Sequence, residues 1–350
     1  MKIAYIINHK GETGVNNVVF DLITEFKRNG HSCTVLYLKE TDKAIIFPCD
    51  EFKISKYPKS IFLEYDIVHL HGLGPCLYAF FNKPLKSKAK IITTFHNYVF
   101  QDYVDLYGKI KGPLLAYTHL LASIRIDKII TLSHDAQNYY NKWISSDKIT
   151  YAYNTRVLDK TQDLDPNEKK EIIDFKQNNT LIGMNGVLIP RKGIETMINA
   201  IKLLPNDFKI VFVGGTLKQI NIYKSLLDKK TNHRVLFAGM HPKAYRYLPY
   251  YDIFALPSRS EGFPLALLEA ASYGCNIVCT DLPILKECFT EEDVHFCQID
   301  NPKSLTNAIL NAKKHNKGDK AKQKFEKEYS PSCFYKKHLS IYKDLLNKHR

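Results

Sequence analysis

Apolar runs too short to be helices recur along the chain, and stretches whose apolar positions return every three or four residues separate them. Lys2 to Asn8 (KIAYIIN) is the first run, Val15 to Asn29 the first amphipathic stretch, and Ser32 to Leu38 the second run. Tyr65 to His71 (YDIVHLH), Ile91 to Phe95 and Lys128 to Leu132 continue the series. Strands alternating with helices in this way predict a parallel sheet covered on both faces. The pattern restarts at Leu181 to Met184, then passes through Lys209 to Gly215 (KIVFVGG), Val235 to Gly239, Tyr251 to Leu256 and Asn276 to Cys279. Between the two series, Asp159 to Asn179 is polar and charged, with a helix expected over Pro166 to Phe175. The spacing predicts an α/β protein of two doubly wound, Rossmann-like domains facing a central cleft, residues 1–158 and 181–330, with a linker and domain entry at 159–180. At the end of the chain, Asn311 to Glu328 reads as a solvated helix pair, and Tyr335, Leu339, Tyr342 and Leu346 form the stripe of a docking helix within residues 331–350.

The most specific segment is Ser260 to Gly274 (SEGFPLALLEAASYG), in which Glu261 and Glu269 stand eight residues apart. The strand before it stops at Pro257, and Pro264 suits the first turn of a following helix because it has no N–H to leave unpaired. A helix N-terminus there would favour an anion. Glu269, two turns further on, would accept hydrogen bonds from ribose hydroxyls, while Glu261 in the loop would face a sugar. A glycosidase pair is disfavoured, because a helix would carry the second carboxylate roughly 10 Å from the first rather than to the other side of one bond.

This segment resembles the E-x7-E signature of the retaining glycosyltransferases of family 4, which have the GT-B fold, and the likeness extends over nearly the whole chain. Cys275 to Glu287 resembles that family's next strand and turn, with Pro283-Ile284 in place of its Gly-Gly. Asn185 to Ala200 (NGVLIPRKGIETMINA) resembles the strand, basic loop and helix that open its C-terminal domain. There Lys192 matches the diphosphate-binding lysine, Val187 replaces the family's arginine, and Arg191 is the neighbouring cation that could substitute. Gly14, seventeen residues before His31, matches the glycine loop, and Tyr153-Asn154-Thr155 the linker entry, where the family has Asn-Gly. The resemblance implies that His96, in TTFHNY after a strand, lines the donor-sugar pocket, and that the last helix crosses back over the N-terminal domain.

The resemblance implies transfer of a sugar, with retention, from a nucleotide diphosphate sugar to a glycan acceptor, in the manner of enzymes that build bacterial surface polysaccharide. Lys192, Arg191 and the amides of Gly262, Phe263 and Leu265 would neutralise the leaving diphosphate, with no metal and no cofactor. His96 and Glu261 are the expected catalytic pair, and Gly14 and Glu269 complete the donor-binding set. An epimerase on the same fold and a GT-B protein without turnover stay open as alternatives.

Composition narrows the partners. The net charge is +14 over 350 residues and both halves are basic, which suits nucleotide diphosphates, nucleic acids or acidic membranes. Nucleic-acid binding is not expected, since it wants a recognised reader with basic and aromatic residues interleaved on one surface and here the basic residues are spread along both halves. No run is long and apolar enough to span a bilayer, and the start MKIAYIINHKG lacks a signal peptide's cationic region before an apolar core, so the expectation is a soluble or membrane-surface cytoplasmic chain. Leu106 to Lys128, with Leu114, Leu115, Tyr117, Leu120 and Leu121 bordered by Lys109, Lys111, Arg125 and Lys128, suits an anionic lipid surface, from which a lipid-linked acceptor would be reached. The eight cysteines lack zinc-site spacing and read as reduced core thiols. His69 and His71 read as strand-end polar residues, Ser133-His134-Asp135 cannot converge as a triad, and Gly214-Gly215 reads equally as a tight connection or a phosphate cradle.

Overall fold

The structure of the chain, a computed structural model, describes residues 1–42, 44–54 and 60–347. Contacts divide it into two compact units, Met1–Val157 together with the segment from Ser330 onward, and Leu158–Tyr329. Each unit is a parallel sheet clothed by helices, the doubly wound form expected from the sequence.

In the first unit the strands are β1 (Lys2–His9), β2 (Ser32–Lys39), β3 (Asp50–Lys53), β4 (Ile67–His71), β5 (Lys90–Phe95), β6 (Lys128–Thr131) and β7 (Ile149–Tyr151), in the order β3-β2-β1-β4-β5-β6-β7. β1 is almost wholly enclosed from Ile3 to Ile7, and β4 from Ile67 to His71, as central parallel strands must be. The helix Gly14–Arg28 is opened by Thr13, whose hydroxyl accepts the Asn16 N–H. Its Asp21 carboxylate binds Arg156 at 2.9 Å and the Val157 N–H at 3.2 Å, which fixes the end of this stretch of the unit.

The final helix, Pro331–Asn347, packs on Gly14–Arg28 within the first unit. Its buried stripe is Phe334, His338, Ile341 and Tyr342 rather than Tyr335, Leu339, Tyr342 and Leu346, a rotation that puts His338 inside. Tyr335 still contributes at the margin, with its hydroxyl 3.0 Å from His31 Nε2 and its ring against Phe26.

The second unit holds β8 (Thr180–Asn185), β9 (Phe208–Val213), β10 (Val235–Gly239), β11 (Ile253–Leu256), β12 (Ile277–Thr280) and β13 (His295–Cys297), in the order β10-β9-β8-β11-β12-β13. Residues 159–180 belong to this unit. The helix Pro166–Lys176 is pinned to it by Lys176, which reaches Asp252 at 2.7 Å, and by Lys209, which donates to the Phe175 carbonyl at 2.6 Å. The stretch expected as a solvated helix pair is three short pieces: the end of helix Pro302–Lys314, helix Gly318–Lys324 and a π-helical turn Phe325–Tyr329. Ala312, Ala321, Phe325 and Tyr329 are buried, because these apolar positions recur among lysines that stay outside.

Candidate functional site

The second unit brings two βα loops together at the carboxyl ends of β8 and β11. After β8 the chain passes Asn185, whose amide spans the Ala244 carbonyl and the Tyr251 hydroxyl, then enters a 3-10 turn, Pro190–Lys192. Gly193 ends that turn in the left-handed region, with φ of 70°. A Cβ there would fall 1.9 Å from the Pro257 carbonyl oxygen, so only glycine lets this loop lie directly on the one after β11. The same closeness recurs at the neighbouring strand end, where a Cβ on Gly214 would lie 1.9 Å from the Gly186 carbonyl oxygen. That backbone packing gives the Gly214-Gly215 pair a connecting role.

The contact of the loops delivers Lys192 to Glu261. The Lys192 ammonium lies 2.6 Å from Glu261 Oε1, and the Ser258 hydroxyl donates to the same oxygen at 2.6 Å. Glu261 is 7% exposed and Ser258 fully buried, so the carboxylate is held in a low-dielectric setting by one cation and one hydroxyl. Ser258 is itself fixed through its carbonyl, which accepts from Thr280 Oγ1 at 2.7 Å.

Arg259 fastens the two loops from the other side. Its N–H donates to the Arg191 carbonyl at 2.8 Å, and its guanidinium engages the Pro190 carbonyl, Glu195 and Asp300. Sequence reasoning passed over Ser258 and Arg259; the serine three residues before Glu261 was the one visible signal, since a short hydroxyl at that spacing can reach back to a carboxylate.

The helix expected from Pro264 begins at Leu265 and runs to Tyr273. Pro264 has φ −85° and ψ 81°, close to an inverse γ-turn, and the Leu265 N–H donates to the Phe263 carbonyl at 3.0 Å. The Leu265 amide, expected to face a diphosphate, is thus engaged within the turn. Phe263 is buried, its ring 6.5 Å from that of Tyr329, and Gly262 is half-buried beside it. Glu269 is half-buried on the helix. Arg191 is half-buried, and no partner for its guanidinium appears among the described residues, while Val187 is 50% exposed. No group of three or more His, Cys, Asp or Glu is placed to hold a metal ion among the described residues.

In the first unit, Gly14 is exposed at the start of its helix, and His96 follows β5. His96 Nε2 is 2.9 Å from His71 Nδ1. His69 and His71, expected as strand-end polar residues, are fully buried instead, because both project to the face of β4 covered by the final helix. Their rings are 4.3 Å apart, and His69 is held at both nitrogens, by the Tyr342 hydroxyl at 2.7 Å and Thr94 Oγ1 at 2.8 Å. Burial and nearby His119 push His96 down to about 3, and burial drives His69 and His71 well below the usual imidazole value, so all three rings are neutral. No disulfide links cysteines among the described residues, and burial pushes the thiols of Cys33, Cys76, Cys275 and Cys297 up to about 12, which leaves them unreactive.

No helix among the described residues is long and apolar enough to cross a membrane. The stretch singled out for lipid is helix Val99–Ala122, broken at Gly108, followed by a 3-10 turn Ser123–Arg125. Gly112, Ala116, His119 and Ala122 face inward. Ile110, Leu114, Tyr117, Leu121 and Ile124, at alternating steps of four and three residues, are between 56% and 90% exposed. Lys109 and Lys111 are exposed beside them, whereas Leu115 and Leu120 are half-buried and the Arg125 guanidinium is taken up by the carbonyls of Phe80 and Lys83.

Residues 13–159 match the model described as Glycosyltransferase Family 4, and residues 165–329 match that described as Glycosyl transferases group 1. The O-antigen biosynthesis glycosyltransferase WclY of Escherichia coli is 30% identical over 99% of both chains. The Escherichia coli UDP-Gal:alpha-D-GlcNAc-diphosphoundecaprenol alpha-1,3-galactosyltransferase is 26% identical over 70% of this chain and 68% of its own. Among solved structures, Anabaena HepE in complex with UDP and glucose superposes with a TM-score of 0.78 at 14% identity, covering 97% of this chain and 99% of that one.

Proposed function

The chain belongs to the glycosyltransferases whose two halves match the family 4 and group 1 models, with the GT-B fold, and we propose that it transfers a sugar, with retention, from a nucleoside diphosphate sugar to a lipid-linked glycan during assembly of a bacterial surface polysaccharide. The observation that carries the donor assignment is the Lys192–Glu261 pair, a buried carboxylate and a shared cation delivered by two loops to the carboxyl edge of a parallel sheet. Ligands of open parallel sheets lie at that edge. Transfer requires stabilising negative charge on the departing diphosphate and positive charge at the anomeric carbon. Lys192 supplies the first and Glu261 the second, and the 2.6 Å contact between them holds both side chains at the same point of the site.

Arg191 is proposed to do what the family's arginine does, since its guanidinium has no partner among the described residues while Val187 carries no charge. The amides of Gly262 and Phe263 supply further donors, and Glu269 takes the ribose. His96 is proposed to contact the reacting sugar as a neutral hydrogen-bonding group. With the cation furnished by the chain itself, turnover needs no metal, and a chelator leaves it unchanged. UDP is the favoured carrier, because the galactosyltransferase relative is named for a UDP sugar and HepE was solved with UDP. Retention is supported by the same relative's name, which joins a UDP-galactose donor to an α-linkage.

A lipid-linked acceptor is supported by the diphosphoundecaprenol in that name and by the outward apolar row Ile110–Ile124 beside Lys109 and Lys111, a composition that lies favourably on an anionic membrane surface. The test is release of UDP from a panel of UDP sugars, with and without undecaprenyl-diphosphate-linked saccharide. Acceptor-dependent release supports transfer, and interconversion of the donor sugar without release would make the chain an epimerase.

A further inference from the structure

We propose that His71 is a positioning residue for His96, fixing the proton of the His96 ring on Nδ1 so that this nitrogen is the donor offered to the substrate. The proposal rests on the assignment of His96 to the sugar, and adds which nitrogen acts and what holds it.

The geometry begins at the contact between the two rings, His71 Nδ1 to His96 Nε2 at 2.9 Å. A neutral imidazole has one N–H and one lone pair, so one ring donates and the other accepts. The remaining nitrogen of His71, Nε2, is buried with no hydrogen-bond partner among the described residues. If His96 donated, His71 would carry its proton on Nε2 and bury an unpaired N–H. If His71 donates from Nδ1, only a lone pair is left unpaired. Buried orphan N–H groups are the rarer case, so the second arrangement is favoured. His96 Nε2 is then the acceptor, and its proton resides on Nδ1. His96 is half-buried rather than enclosed, unlike His71.

The His71 ring is not free to adjust. It lies against the His69 ring with centroids 4.3 Å apart, and His69 is locked by Tyr342 of the final helix and by Thr94 of β5. His338, on the same helix, closes the cluster with its ring 6.4 Å from that of His69. The final helix therefore bears on the orientation of His96 through Tyr342, His69 and His71.

The decisive measurement is long-range proton–nitrogen NMR of the full chain labelled with 15N-histidine. At neutral pH, His96 Nε2 should resonate as an unprotonated ring nitrogen and Nδ1 as a protonated one. A His96 ring protonated at Nε2 would overturn the proposal, whether or not any variant folds. His71→Asn, whose amide nitrogen occupies the place of Nδ1, should keep the native pattern, and His71→Leu should lose it.

Turnover of UDP-glucose and UDP-galactose gives the second readout. His71→Leu should lower kcat roughly 10- to 100-fold with donor KM within about twofold, since a misdirected donor costs chemistry more than binding. His71→Asn should recover most of the loss. If His96→Ala keeps full turnover, the assignment of His96 fails and takes the proposal with it. If His96→Ala is inactive while His71→Leu matches the native kcat, the assignment of His96 stands and the positioning role alone is refuted.

Discussion

The ammonium of Lys192 and the carboxylate of Glu261 meet at 2.6 Å, from loops that lie 69 residues apart in the chain. Side-chain exposure is 16% for the lysine and 5% for the glutamate, so removing either charge leaves the other in a poorly hydrated place. Lys192→Ala should weaken UDP binding roughly tenfold or more, because a charge-assisted contact worth about 1.5–3 kcal/mol is lost and the unpaired carboxylate repels the diphosphate. It should also lower the unfolding temperature. Glu261→Gln should bind UDP at least as tightly as the native chain, since the cation remains, while turnover falls. Titration calorimetry distinguishes these outcomes, and unchanged affinity in Lys192→Ala would transfer the contact to Arg191.

Glu269 and Glu261 are proposed to divide the donor between them. Glu269 is half-buried on its helix and is assigned to the ribose, so Glu269→Ala should weaken the nucleotide and the nucleotide sugar alike. Glu261→Ala should depress kcat by more than it depresses UDP affinity. Equal losses of UDP affinity in the two variants would contradict that division.

Acid should loosen the first unit. His69, His71, His119 and His338 are all buried there, and burial holds His69 and His71 well below the usual imidazole value and His119 and His338 at about 4. Their folded pKa values lie below the unfolded value near 6.5, so between the two the unfolded chain binds more protons and stability falls as pH falls. Each such group withdraws about 1.4 kcal/mol per pH unit below about 6.5. The single tryptophan, Trp143, lies in this unit and reports its unfolding by fluorescence. The urea midpoint should drop steeply between about pH 7 and pH 5 on this account, and a flat profile over that range would mean that the rings take protons without unfolding.

Membrane attachment should depend on both components of the exposed row. Native chain should float with anionic vesicles at low salt and detach at high salt, because each lysine near such a surface contributes about 1 kcal/mol. Lys109→Glu with Lys111→Glu should abolish flotation, and Ile110→Ser with Leu114→Ser should weaken it without changing UDP binding. Both Ile110 and Leu114 are more than half exposed, so these changes spare the core. Absence of flotation at low salt would leave a soluble acceptor.

The long central strands were legible because their apolar runs are nearly uninterrupted: β1, β4, β5, β8 and β9 fall within a residue or two of where the pattern puts them. β3, β7 and β13 were not, since three or four residues at a sheet edge carry too little periodicity, and β3 is largely exposed. Placement that depends on one motif could be read from the chain, as with Glu261 in a loop and Glu269 on the helix that follows it. Pairings across loops could not: nothing in the order of residues ties Lys192 to Glu261, or Tyr342 to His69, because sheet topology creates those neighbours. His338 illustrates the remaining failure, for a histidine counted as polar was left off a buried stripe that burial keeps neutral.

The claim that the chain moves a sugar with retention is tested most directly by NMR of the product formed from a UDP sugar and an undecaprenyl-diphosphate-linked saccharide, in the presence of a chelator. The account predicts one UDP released per glycosidic bond, with the new linkage in the same anomeric configuration as the donor. An inverted linkage, or release of UDP with free sugar and no bond to the acceptor, would contradict it.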